Sequence, residues 1–378
     1  MNKVAQRFLS LDVFRGMTIC FMIIVNTPGS GATPFAPLEH AAWHGFTPTD
    51  LVFPSFLFAV GNAMSFSLEK YKQISDAAFF KKVIRRTLLI FLLGYLMYWF
   101  PFFRLDDAGH IAGAPIGNTR IMGVLQRIAL CYFFASLIIH YCRTKTVYII
   151  SAALLLGYWI LLLWFGDRSD PVGMLTNVGT YIDKAVLGEA HMYHGEGVAF
   201  DPEGILSTLP AIVNVIIGYY AGVFIRQKGK GYESMTKLLL TGGLLILLAL
   251  CWNTVFPINK KLWTSSFVLL TTGIDLAIIA ALLYIVELRQ WNGLNWTRFF
   301  VVFGKNPLFI YLLSELLIVA FYMIRMAPGT SLHGWVNQVF FQVVAPGALG
   351  SLLFALAYML LCWAIGWLLD KRGIYVRV

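Results

Sequence analysis

The chain has 378 residues, of which 58% are hydrophobic and 13% charged, and its mean hydropathy is +0.72. That leaves too little polar surface to clothe a water-soluble domain, so the composition excludes a soluble enzyme and predicts an integral membrane protein. The formal net charge of +10 has no soluble basic domain to sit on, which excludes a nucleic-acid binder and assigns the excess to membrane topology.

Crossing a hydrocarbon core of ~30 Å takes about 20 helical residues. Apolar runs of about that length recur at 10–27, 50–68, 87–103, 121–141, 146–165, 205–225, 237–256, 264–286, 303–324 and 348–369. They predict an all-α, polytopic fold of about ten transmembrane helices, read as a single transmembrane domain over 1–378. Of the 29 Lys and Arg, 20 fall in segments on the side of the termini and 7 on the other, with Arg15 and Arg127 inside helices. The positive-inside rule therefore predicts both termini in the cytoplasm. No small-residue cleavage site follows the first apolar run, so that run is expected to remain as the first helix.

The first helix carries Asp12 and Arg15, three residues apart and able to meet on one face. They read either as a snorkelling arginine paired to a capping aspartate or as an arginine that meets an anionic ligand from the cytoplasm. The helix ends in Val25-Asn26-Thr27-Pro28-Gly29. Next comes the stretch around which the chain is organised, LEHAAWHGFTPTDLVFPSF, Leu38 to Phe56. His40 and His44 are a helical turn apart with Trp43 beside them, and Thr47-Pro48-Thr49-Asp50 has the chemistry that opens a helix.

The orientation places this stretch at the outer surface. An imidazole there, with an ordinary pKa of about 6.5, suits a general base or a transient acyl carrier. Asn26, Trp43, His44 and Asp50 can converge on it, giving donor, aromatic wall and carboxylate around one ring. A purely structural histidine at a helix–loop junction is the other reading.

Residues 69–86 carry six basic side chains against Glu69 and Asp76, fit for anionic headgroups or for a phosphate-bearing cofactor. The fourth span opens with Arg120 and carries Arg127, which must face protein or water because lipid exposure costs roughly 2.5–3.5 kcal/mol. The longest connection, 166–204, is expected outside as an ordered lid. Its His191 and His194, near Glu189 and Glu196, lack a third defined ligand, so no metal site is expected. Asp275 and Glu315 lie in apolar runs and read as a proton relay or as neutral hydrogen-bonded acids. Cys20, Cys131, Cys142, Cys251 and Cys362 form no CxxC pair and read as packing residues.

Six blocks carry a resemblance: SLDVFRGMTICFMIIVN, HAAWHGFTPTDLVFPSFLFAVG, RIMGVLQRIALCYF, AFDPEGILSTL, PINKKLW and GKNPLFIY. In order and spacing they resemble the catalytic membrane region of the heparan-alpha-glucosaminide N-acetyltransferase family. The large luminal segment of the lysosomal enzyme does not precede them, which fits a bacterial member. The resemblance implies a multi-helix enzyme that takes acetyl-CoA from the cytoplasm and acetylates an amino sugar on the far side. The family's active histidine lies in H-A-x-W-x-G, which matches His40-Ala41-Ala42-Trp43-His44-Gly45, so the role falls on His40 while His44 fills an open position. The family's Asn after the first helix matches Asn26, and T-x-x-D-L-V-F-P matches Thr47 to Pro54 with Asp50.

The sequence thus predicts an acetyl-CoA-dependent membrane N-acetyltransferase with an amino-sugar acceptor, in a bacterial cytoplasmic membrane. His40, Asn26 and Asp50 are the expected catalytic residues, and Arg15, Arg127 and Trp43 the expected contacts to the co-substrate. The expected partners are acetyl-CoA, an amino sugar or glycan terminus and the lipid bilayer, with a homodimer among the assemblies the sequence admits. The alternatives are an O-acetyltransferase of an envelope glycan and a proton-coupled transporter using Asp275 and Glu315. No internal repeat supports the transporter.

Overall fold

The computed structural model of the chain describes residues 8–29, 34–71, 74–105, 111–291 and 293–376. Lys3, Arg7, Lys72 and Arg377, counted above for orientation, lie outside the described residues, as do the side chains of Lys70 and Arg104. The protein is an all-α polytopic membrane protein. Its helices include α1 (Leu9–Asn26), α2 (Val52–Tyr71), α3 (Asp76–Trp99), α4 (Val124–Tyr141), α5 (Thr144–Phe165), α6 (Val178–Leu187), α7 (Thr208–Lys228), α8 (Tyr232–Asn253), α9 (Ser265–Leu282), α10 (Trp296–Lys305) and α11 (Pro307–Met323). Short helices α12 (Leu332–Val336) and α13 (Gln342–Val344) then lead to α14 (Ala348–Lys371). Among the described residues the strands form two short antiparallel hairpins, Phe103–Leu105 with Ile111–Gly113 and Arg325–Ala327 with Thr330–Ser331.

Among the described residues eight helices are long and apolar enough to cross a membrane, and a ninth span results if α10 and α11 are taken together. Those two meet at 83°. The expectation of one straight span over 303–324 fails there for a local reason. Pro307 offers no N–H to continue the ladder, and Asn306 before it leaves the helical region at φ −127°, ψ 49°. The span expected over 87–103 is the second half of α3, which ends at Trp99, starts at Asp76 under a Ser75 cap and carries Lys81, Lys82, Arg85 and Arg86 in its first half. That basic segment, read as a connection, is helical. The span expected from 121 begins at Val124, because Gly123 is extended and packs so closely on the Tyr98 ring that a side chain would collide with it.

The chain forms two compact units. One takes the chain up to Ala41, Thr47–Phe56 and the chain from Ala281 onward. Its centre is the pairing of α1 with α10, where backbones touch: a methyl at Gly16 would overlap the Phe300 carbonyl, and one at Gly304 the Asp12 carbonyl. The other unit takes Ala42–Phe46 and Leu57–Ala280. There Gly61 and Gly218 hold α2 and α7 together in the same way, against the carbonyls of Val215 and Phe58. Small residues are how apolar helices approach closely in lipid, where burial from water supplies no driving force.

The long connection 166–204 is ordered and partly helical. Asn177 caps α6, accepting from Thr180 N at 2.9 Å, and Val178 packs with Val172 and Leu206 on a core of Tyr158, Leu162 and Phe256.

Candidate active site

Residues 39–47 form an irregular loop between two single-turn 3₁₀ helices, Ala36–Leu38 and Pro48–Leu51. His40 and His44 are therefore not on one helical face, contrary to their spacing. The prolines at 37 and 48 and Gly45, at φ 114°, keep the segment from winding. A carboxylate organises it instead. Asp50 Oδ1 lies 2.8 Å from His40 Nδ1, while Asp50 Oδ2 accepts the backbone N–H groups of Thr47 (3.0 Å) and Ala41 (3.2 Å). The Thr47 hydroxyl donates to Glu39 O at 2.7 Å and the Thr49 hydroxyl to Pro37 O at 3.1 Å.

Asp50 thus caps its helix and holds the imidazole at once. The carboxylate side chain is 1% exposed and that of His40 44%. A buried carboxylate at Nδ1 fixes the tautomer in which Nδ1 carries the proton, leaving Nε2 as the basic atom.

In the same unit, the Asn26 amide at the end of α1 donates to Glu315 Oε1 at 3.4 Å. Arg15 donates to Asp12 Oδ1 at 2.8 Å and through Nε to Gly304 O at 2.6 Å, so its charge sits at the C-terminal end of α10, where the helix dipole favours a cation. Its side chain remains 25% exposed.

The second unit holds Trp43 and His44. The Trp43 indole N–H donates to Val172 O at 3.2 Å and its ring meets Phe200 edge-on at 5.5 Å. Asn259 Nδ2 lies 3.3 Å from His44 Nδ1. Partial burial holds the His44 pKa below its ordinary value, against a pull from Asp170 in the other direction. Lys261 bridges Ala42 O (2.9 Å) and Glu196 Oε2 (2.7 Å), tying the histidine loop to the long connection.

Deeper in this unit is a charge cluster. Arg120 Nη2 meets Asp201 Oδ1 at 2.6 Å and Glu203 Oε2 at 2.5 Å, and its guanidinium lies over the rings of Tyr193 (4.6 Å) and Tyr98 (5.2 Å). Burial pushes both carboxylates up. Around Glu203 the cations Arg120, Arg127 and Lys260 outweigh it and hold that group below its ordinary value, whereas at Asp201 burial prevails. Arg127 is fully buried in the first turn of α4, donates to Gly204 O at 3.1 Å and to the Ser207 hydroxyl, and stacks 4.9 Å from the Trp263 ring centre. It faces protein, as the cost of an arginine in lipid demands.

The structure therefore brings His40 and Asp50 together and places Arg127 in the Arg120 cluster. Asn259, Lys261 and the pairing of Arg120 with Asp201 and Glu203 are features of the site that the sequence alone does not single out. Their only sequence signal was their presence in the blocks PINKKLW, RIMGVLQR and AFDPEGIL. His191 Nδ1 contacts Thr119 O at 2.7 Å and His194 Nδ1 contacts Met192 O at 3.0 Å. Among the described residues no group of three His, Cys, Asp or Glu is arranged to hold a metal.

The family model described as heparan-alpha-glucosaminide N-acetyltransferase, catalytic, matches residues 7–242. The chain belongs to the heparan-alpha-glucosaminide N-acetyltransferase family. It is 27% identical over 372 residues to the heparan-alpha-glucosaminide N-acetyltransferase of Homo sapiens, covering 83% of this chain and 54% of that protein. The Mus musculus protein of the same name is also 27% identical, over 374 residues, with the same coverage. The chain thus spans about half the length of the curated relatives it matches. The family match includes Asn26, His40, Asp50 and the Arg120 cluster, whereas Asn259, Lys261 and Glu315 lie beyond it.

Proposed function

We propose that the protein is a membrane acetyltransferase that moves an acetyl group from cytoplasmic acetyl-CoA to the amine of a glucosamine-type sugar on the other face of a bacterial cytoplasmic membrane. The observation that carries this reading is the 2.8 Å contact of His40 Nδ1 with the buried Asp50, inside the segment matched by the family. The names of the human and mouse relatives supply the acetyl transfer and the glucosaminide acceptor.

In the proposed reaction, Nε2 of His40 takes a proton from the acceptor amine as its nitrogen attacks the thioester carbonyl. Asp50 stabilises the imidazolium that results. The tetrahedral intermediate collapses with expulsion of the CoA thiolate, which recovers the proton from the imidazolium. Asn26 has two amide N–H donors, and the one not used by Glu315 serves the developing oxyanion. Arg15 and Trp43 are the proposed contacts to CoA. Arg127, with no exposed surface, acts by holding the Gly204–Ser207 turn. The basic excess on the side of the termini suits a nucleotide with its phosphates.

Purified protein incubated with acetyl-CoA and a panel of amino sugars and polyols tests this directly, with products identified by mass. An acetylated amino sugar that forms only with acetyl-CoA is the expected result. Acetylation of polyols alone would transfer the assignment to hydroxyl chemistry, and no product at all would remove the enzyme reading.

A further inference from the structure

Away from the histidine stretch, a cavity of about 510 Å³ opens among α5, α7, α8 and α9, all within the second unit. That volume lies in the range of about 300–1,000 Å³ common to small-molecule sites. Its floor is apolar and buried, with Leu155 7% and Ile216 1% exposed. Its polar groups are Tyr148, Ser151, Tyr220, Lys237 and Thr241. The two tyrosine rings are 5.1 Å apart, and Tyr220 is within hydrogen-bond reach of Thr144, the first residue of α5. Tyr148, Tyr220 and Lys237 lie toward the start of α5, the end of α7 and the start of α8.

Those helix ends are basic. They carry Arg143, Lys145, Arg226, Lys228, Lys230 and Lys237, with Glu69 paired with Arg226 at 3.3 Å and Glu233 with Lys237 at 2.5 Å. Lys237 has three N–H donors, so two remain after Glu233 is served. Two of its walls, α5 and α8, are the described spans least covered by protein. Only 22% of α5 and 28% of α8 is buried, against 50–72% for α1, α2, α4, α7 and α9.

We propose that this groove is a binding site for an anionic phospholipid, one acyl chain lying along Leu155 and Ile216 and the phosphate held by Lys237 with the Tyr148 and Tyr220 hydroxyls. Charge complementarity selects this occupant. A second copy of the chain docked by a two-fold axis would set the same six cations against themselves, because such an interface uses one patch on both sides. The orientation read from the sequence puts this end in the cytoplasmic leaflet, whose anionic lipids attract basic segments.

The test uses the full chain in mild detergent with phosphatidylglycerol or phosphatidylcholine of identical acyl chains, each bearing a diazirine in one chain. After irradiation, intact mass gives the stoichiometry and peptide mapping the position. The expected result is one phosphatidylglycerol per chain, cross-linked to α5, α7 or α8, with phosphatidylcholine much weaker. Lys237→Gln should lower the apparent affinity for phosphatidylglycerol about fivefold, the worth of one basic residue near an anionic surface, and leave phosphatidylcholine unaffected. Ala152→Trp, at the exposed rim, should abolish the cross-link. Equal labelling by both lipids, insensitive to Lys237→Gln, would overturn the proposal. So would an unchanged cross-link in Ala152→Trp accompanied by loss of a dimer, which would give the face to a second copy.

Discussion

The Asp50 carboxylate reaches His40 Nδ1 with one oxygen and the backbone N–H groups of Ala41 and Thr47 with the other. One buried group therefore sets both the path of the loop and the tautomer of the imidazole, so chemistry and local folding can be separated by mutation. Asp50→Asn keeps an acceptor for the backbone but no charge for the imidazolium. It should lower turnover by roughly 10²-fold or more with a small change in thermal stability. Thr47→Ala should do the reverse, costing about 1 kcal/mol of stability with turnover nearly intact. Equal loss of turnover in both variants would mean that Asp50 acts only through the loop.

His40 and His44 make a second contrast. His40→Ala should lower turnover by roughly 10²-fold or more, the scale of general acid–base contributions, while leaving acetyl-CoA binding in place. His44→Ala should have a much smaller effect, since its Nδ1 contact is to the Asn259 amide and not to a carboxylate. A base mechanism needs both substrates bound together, whereas a carrier would leave an acetylated enzyme in the absence of sugar. Labelled acetyl-CoA without acceptor should leave no label on the protein. A label that can be chased onto sugar would make His40 the carrier.

The Arg120 cluster predicts a stability effect. Arg120→Ala would leave Asp201 and Glu203 buried without their guanidinium, and removing one partner of a buried ion pair typically costs about 3–5 kcal/mol. Thermal unfolding in detergent should show a large fall for Arg120→Ala and a smaller one for Arg120→Lys, which keeps the charge and loses the fork. A drop within the range of an ordinary surface substitution would show that the cluster is solvated in solution.

What could be read in the sequence follows from the range of the signal. The spans were visible because hydropathy is local, and His40 and Asp50 because their residues fall in one short motif. The pairing of Arg120 with Asp201 joins residues 81 positions apart, and no periodicity records such a contact. The bend at Asn306 was legible in principle, since Pro307 follows it, but the apolar run continued through and masked the break. The basic stretch before 87 looked like a loop because charge was weighed over helix propensity, although Lys and Arg are good helix formers.

Orientation can be checked independently of activity. With single cysteines in a cysteine-free background, the basic excess predicts that an impermeant reagent added to intact cells labels position 184 and not position 76. Labelling of position 76 alone would invert the topology and with it the side on which acetyl-CoA is expected. In sealed vesicles of known orientation, transfer should then depend on acetyl-CoA supplied at the face that carries position 76.

Asp183 offers a pH test. Its side chain is buried on α6, 3% exposed, and accepts the backbone N–H of Ile205 at 2.8 Å. Burial raises its pKa from 3.8 to about 6, with Asp201 adding to the rise and the Ile205 bond and Arg127 opposing it. The folded protein therefore holds the proton more tightly than the unfolded chain does. The stability this contributes is complete below about pH 4 and is lost as pH rises through about 6, a change on the order of 2–3 kcal/mol. Asp183→Asn keeps an oxygen for Ile205 N and is neutral at every pH, so it escapes the loss. Its stability relative to the native protein should be near zero at pH 4, rise across the interval and level off by pH 7. Titrating groups that do not interact with Asp183 are common to both proteins and cancel in the difference. Parallel unfolding temperatures for the two proteins from pH 4 to 8 would show that Asp183 is hydrated and titrates as an ordinary carboxylate.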